Sequence, residues 1–192
     1  MLMKRILLLS TLIVSLLGLT LSGCGSDDLS LINEVKRFDP EWMTLSSKVS
    51  FIDRYLRITA RRYQADFDEV DPYISDPATT ERSNLYGLRS QYRNMMQDRD
   101  KLETRFGKTK EAFVSAVESF NDWQTQLMKG RLDEDEARQE FVGIKAGYDS
   151  LAVDLNQLQD DLIRNIEQHN ALMNRITRAV DIHASFEIRY DR

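Results

Sequence analysis

The chain has 192 residues, room for one ordinary domain, and a formal net charge of −5. That balance excludes the Lys/Arg-rich surface that sequence-independent nucleic-acid binding requires, so no nucleic-acid partner is expected. Prolines stand only at Pro40, Pro72 and Pro77, and Cys24 is the single cysteine, so no intrachain disulfide can form.

Lys4 and Arg5 form a short positive start, and Ile6 to Leu19 is an apolar run too short to read as a stable membrane span. Leu21-Ser22-Gly23-Cys24 follows, then Gly25-Ser26-Asp27-Asp28. This stretch resembles the lipobox of bacterial lipoproteins, and the resemblance covers about the first 28 residues. It implies a signal peptide over 1–23, cleavage before Cys24, and lipid on the Cys24 thiol and its new amino group. Several acyl chains on one residue anchor stably where one would be marginal. The membrane is then a partner through Cys24. Gly25 rather than Asp follows the cysteine, which by resemblance to the enterobacterial sorting rule favours the outer membrane. Loss of Lys4 and Arg5 takes the net charge from −5 to −7.

Residues 24–38 are expected to be the lipidated cysteine, a tether and a short helix with Leu31, Val35 and Phe38 on one face. Residues 39–192 are expected to form the helical domain. Asp39-Pro40-Glu41 reads as a fresh helix start, with a capping carboxylate, a proline that needs no donor in the first turn, and an acid near the positive end of the dipole. From there Trp42, Leu45, Val49, Ile52, Leu56, Tyr63 and Val70 recur in steps of three and four, predicting a helix over about 40–70. Asp71 to Pro77 carries two prolines and reads as a loop.

A second helix is predicted over about 78–129, with a seam of Leu85, Leu88, Tyr92, Met95, Arg99, Leu102, Phe106, Thr109, Phe113, Ala116, Phe120, Trp123 and Leu127. Gly130 is its stop. Asp133 and the acidic run after it predict the start of a third helix, expected over about 134–188. Its seam runs from Ala137, Phe141, Ile144, Tyr148 and Leu151 through Asn165, His169 and His183 to Phe186 and Tyr190.

The short connection at 129–132 demands an antiparallel hairpin, with Trp123 facing Phe141 and Arg99 beside Asn165. Folding back the shorter first helix sets Tyr63 near Leu85 and Trp42 near Phe106. The expectation is an all-α chain: an elongated antiparallel three-helix bundle continuing into a two-helix coiled-coil arm.

No constellation for chemistry stands out. His169 and His183 lie fourteen residues apart on one seam, about 21 Å along a helix, so they cannot share a metal ion. Glu-x-x-His, Gly-x-Ser-x-Gly and phosphate-loop motifs do not occur. No enzyme activity, metal or cofactor is expected. Pairing would bring Glu81 to His183. Arg54, Arg57, Arg61 and Arg62 share one side of the first helix and read as a solvated face paired with nearby carboxylates. Gly143 and Gly147 are small enough to permit a close helix approach. On a two-helix arm, Phe113, Val117, Phe120, Trp123, Phe141 and Tyr148 are expected to stay partly exposed and to form a partner-binding surface. The function expected is a lipid-anchored cell-envelope scaffold, spacer or partner-binding module, its partner an envelope protein or a second copy of itself. The alternatives are a carrier of a small apolar or haem-like ligand through His169 or His183, and a regulator or inhibitor of an envelope enzyme.

Overall fold

The computed structural model describes residues 28–75, 85–181 and 184–190. Cys24, the first residues of the predicted second helix (78–84) and the Glu81–His183 pair lie outside the described residues. The described residues are all-helical, with three helices and no strand: α1 (Asp28–Ser75), α2 (Leu85–Met128) and α3 (Glu134–Val180). None of them is long and apolar enough to cross a membrane.

The first helix departs most from expectation. α1 begins twelve residues before Pro40, passes through it unbroken, and continues past Pro72 to Ser75. An interior proline removes one backbone hydrogen bond and costs about 3 kcal/mol. The apolar phase explains why the helix tolerates that loss. Leu31, Val35, Phe38, Trp42 and Leu45 keep one stripe in register across Pro40, and all five are buried. At about 1.5–3 kcal/mol for each buried large side chain, the stripe outweighs the proline. The same holds at Pro72, where Val70 and Ile74 are both buried.

The α2–α3 connection follows the sequence closely. Gly130 takes a left-handed φ of 62°, with its N–H donating to Leu127 O (3.0 Å) and the Arg131 N–H to Gln126 O (3.0 Å). These two bonds make a Schellman ending, which satisfies carbonyls that the last turn leaves free. Asp133 then caps α3: its Oδ1 accepts from the backbone N–H of Asp135 (3.1 Å) and of Glu136 (3.4 Å).

α3 ends at Val180 rather than near residue 188. Asp181 has a φ of 58°, a left-handed conformation that a short acidic side chain tolerates and a helix interior does not. Residues 184–190 are not helical. Phe186 and Ile188 are buried there while Glu187 and Arg189 are exposed, the two-residue period of an extended segment.

Two compact units are present. Within the described residues, the first takes 28–46 and 115–148, and the second takes 47–114 and 149–190. The first unit contains a segment from each of the three helices. Its core is aromatic. The Phe38 ring meets Phe120 (6.0 Å), Phe141 (5.6 Å) and Tyr148 (4.9 Å) edge-on, and Trp42 stacks on Phe120 (5.6 Å). Trp123 lies parallel to Phe141 at 5.4 Å, the pairing expected from the hairpin. A two-helix arm is therefore the wrong description of this unit, because α1 packs on both partners. The second unit also combines all three helices. Its α1 register differs by one heptad from expectation, with Tyr63 beside Tyr92 (6.4 Å) instead of Leu85.

Candidate functional site

The six residues expected to form a partner surface are placed plainly. Phe113, Val117, Phe120, Trp123, Phe141 and Tyr148 are all buried. In the first unit, Phe38 and Trp42 of α1 cover Phe120, Phe141 and Tyr148, and the Tyr148 hydroxyl donates to Glu41 O (3.3 Å). Their expected exposure followed from a first helix beginning only at Pro40. Gly143 and Gly147 have open space where a side chain would go, so neither supports a close approach. The arginine face is largely engaged: Arg57 pairs with Asp53 (2.6 Å), Arg62 pairs with Asp66 (3.3 Å), and Arg54 lies over the Tyr55 ring.

The second unit holds the densest chemistry, a buried polar layer across its helices. The Tyr63 hydroxyl of α1 donates to Asn165 Oδ1 of α3 (3.0 Å), and Asn165 Nδ2 donates to Met95 O of α2 (3.0 Å). Arg99 of α2 donates to Leu56 O of α1 (3.0 Å) and pairs with Asp100 (2.8 Å) and Glu103 (3.0 Å). The sequence placed Arg99 and Asn165 in one layer. Each also donates to a backbone carbonyl of a neighbouring helix, Arg99 to Leu56 O and Asn165 to Met95 O, a detail no heptad pattern contains.

His169 is 0% exposed and stacks on the Tyr63 ring at 4.4 Å. Its Nε2 lies 3.2 Å from Phe186 O and 3.2 Å from Asp66 Oδ2. A carbonyl can only accept, so Nε2 carries the proton in the neutral ring and Nδ1 is the acceptor. Nδ1 stands 3.0 Å from the Tyr92 hydroxyl, which also lies 2.9 Å from Tyr63 O. One hydroxyl proton thus faces two acceptors. Burial pushes His169 down to about 4, so the ring is neutral near pH 7. Burial also raises Asp66, against the lowering pull of Arg62. The hydroxyls of Tyr63 and Tyr92 are held well above their usual range, mainly by desolvation.

This arrangement is a saturated core. A ligand reaching His169 has to displace Tyr92 or Phe186. No group of three or more His, Cys, Asp or Glu side chains suited to a metal occurs among the described residues.

Beside it, the 184–190 segment docks on α3 through Asn170. The Ile188 N–H donates to Asn170 Oδ1 (2.9 Å), and Asn170 Nδ2 donates to Ile188 O (3.0 Å). The Tyr190 hydroxyl donates to Glu167. Sequence reasoning missed this contact because Phe186 and Tyr190 fit the heptad phase. The signal it contains is the alternation in Phe186-Glu187-Ile188-Arg189-Tyr190, which has the period of a strand.

No family model matches the chain, and comparison with curated proteins and with solved structures finds no match.

Proposed function

We propose that the chain is a lipid-anchored cell-envelope protein whose helical part serves as a non-enzymatic scaffold, spacer or partner-binding module, held at the outer membrane by lipid on Cys24. The observation that carries this reading is Leu21-Ser22-Gly23-Cys24 directly after Lys4-Arg5 and the apolar run of 6–19. A thiol at that position, behind a signal-length segment, is the acceptor that lipoprotein processing needs. The described residues suit a mechanical or docking role. The Tyr63 hydroxyl, the Asn165 amide and one Arg99 nitrogen are spent on one another or on backbone carbonyls, an arrangement suited to fixing helix register. The buried aromatic residues of the first unit contribute stability, so the proposal rests on the anchor and not on them.

Mass spectrometry of the mature amino terminus tests the reading. It expects Cys24 as the first residue, carrying acyl chains. An unmodified Cys24, or cleavage at another bond, overturns it. The Cys24→Ala chain is expected to leave the membrane fraction or to keep its first 23 residues.

A further inference from the structure

We propose that the face of α3 carrying Asn170 and His169 is a peptide-recognition slot, occupied in this structure by the chain's own residues 184–190, and that its ligand class is an extended peptide with apolar side chains two residues apart.

The geometry is that of backbone recognition. Asn170 uses both halves of its amide on one residue, accepting from Ile188 N–H at 2.9 Å and donating to Ile188 O at 3.0 Å. A side-chain amide thereby substitutes for the partner strand that an extended chain would find in a sheet. The bond from His169 Nε2 to Phe186 O at 3.2 Å repeats the mode two residues earlier. All three contacts go to main-chain atoms, which every peptide has. Selectivity falls to alternate side chains. Phe186 and Ile188 are 6% and 5% exposed, whereas Glu187 and Arg189 face outward. The slot thus reads apolar, any, apolar, and Glu167 takes the Tyr190 hydroxyl at its end.

The recognising groups are also set in advance. The His169 ring is stacked on Tyr63 and its Nδ1 is engaged by Tyr92, so Nε2–H is aimed before any segment arrives. A preset site gains affinity by having less order to impose on binding. The bound segment follows the left-handed residue Asp181, beyond the last turn of α3, so its departure breaks none of the described helices.

This inference rests on the partner-binding part of the proposed function and names the partner's chemistry. Its test is independent of the lipid on Cys24, so the two fail separately. The protein with Phe186→Ser and Ile188→Ser together keeps its full length but vacates the slot. A fluorescent peptide of the 184–190 sequence is titrated against it by anisotropy. Binding is expected at least about tenfold tighter than to the unsubstituted protein, whose tethered segment competes at roughly millimolar effective concentration. Adding Asn170→Ala should weaken it about tenfold, from the loss of two hydrogen bonds. A peptide with Glu and Ile exchanged has the same composition but sets its Phe and Ile side by side instead of two residues apart, and should not bind. If the vacated chain stays helical but ignores the peptide, or binds both peptides equally, the proposal is wrong. If the vacated chain loses its helical signal, the segment is core and not an exchangeable occupant, and the proposal is also wrong. Hydrogen exchange on the unsubstituted protein decides independently. The Ile188 amide should exchange by local opening, faster than the amide of Leu162 inside α3, and equal rates overturn the slot.

Discussion

His169 shows how burial turns a titratable group into a constraint. The neutral ring has a partner for each nitrogen, whereas protonation places a charge at 0% exposure. Its folded value is about 4, below the ordinary value of 6.5, so the unfolded chain takes the proton first. Stability from this residue is fully present above pH 6.5 and is lost as pH falls toward 4, by about 3 kcal/mol at most. Asp66 works in the opposite sense. Its raised value means the folded carboxyl takes a proton more readily than the unfolded one, which returns some stability as pH falls through the acid range. His169→Gln should flatten the pH dependence of urea stability between 6.5 and 4, and an unchanged slope would refute the assignment. Tyr63 and Tyr92 set the alkaline limit. Both are raised, so their contribution is intact below pH 10 and is lost as pH rises above it. Ultraviolet titration should show that the Tyr63 and Tyr92 share of the tyrosine absorbance change appears only on unfolding. All seven tyrosines titrating together in the folded protein would be inconsistent with these buried hydroxyls.

The helices themselves divide into what the pattern could and could not reveal. α2 and α3 were legible because their signals are local and agree: a three-four apolar period, Gly130 as a stop, and Asp133 as a cap. Asp133→Ala should cost about 1 kcal/mol in denaturant unfolding, as helix caps generally do. α1 was misjudged at both ends for one reason. Proline is a local breaker, and tertiary burial of Val35 and Phe38 on one side of Pro40 and of Trp42 and Leu45 beyond it is not local information. Pro40→Ala separates the alternatives. If Pro40 opened a helix, alanine would lose a favourable first-turn residue and stability would fall slightly. In the interior of α1, alanine restores an N–H for the helix ladder, and the chain should gain about 1–2 kcal/mol after the greater freedom of its unfolded state is counted. The candidate site was legible to a lesser degree. Asn165, Arg99 and His169 stand out as polar residues in an apolar seam. Their partners Leu56 O, Met95 O and Phe186 O are main-chain atoms, which the sequence marks with no particular residue type.

At the level of the whole chain, order in sequence and order in space separate. Each unit draws on all three helices, so neither has a core made from one continuous stretch. The first unit needs the part of α1 that precedes Pro40, and Phe38 is the sharpest test of that dependence. Its ring contacts Trp42 at 6.2 Å, Phe120 at 6.0 Å, Phe141 at 5.6 Å and Tyr148 at 4.9 Å, joining one segment from each helix. Edge-on aromatic pairs add about 0.5–1.5 kcal/mol beyond the area they bury, and several meet on this one ring. If residues 24–38 were only a tether with a short helix, Phe38→Ala would leave stability unchanged. With α1 packed on α2 and α3, the same substitution leaves a ring-sized cavity and should cost about 3–5 kcal/mol. Tryptophan fluorescence gives a local readout, because Trp42 and Trp123 are the chain's two tryptophans and both belong to this unit. Circular dichroism reports all three helices together. The Phe38→Ala chain should show fluorescence loss at lower urea than the unsubstituted protein. Coincident fluorescence curves for the two chains would mean that the first part of α1 does not close the aromatic core.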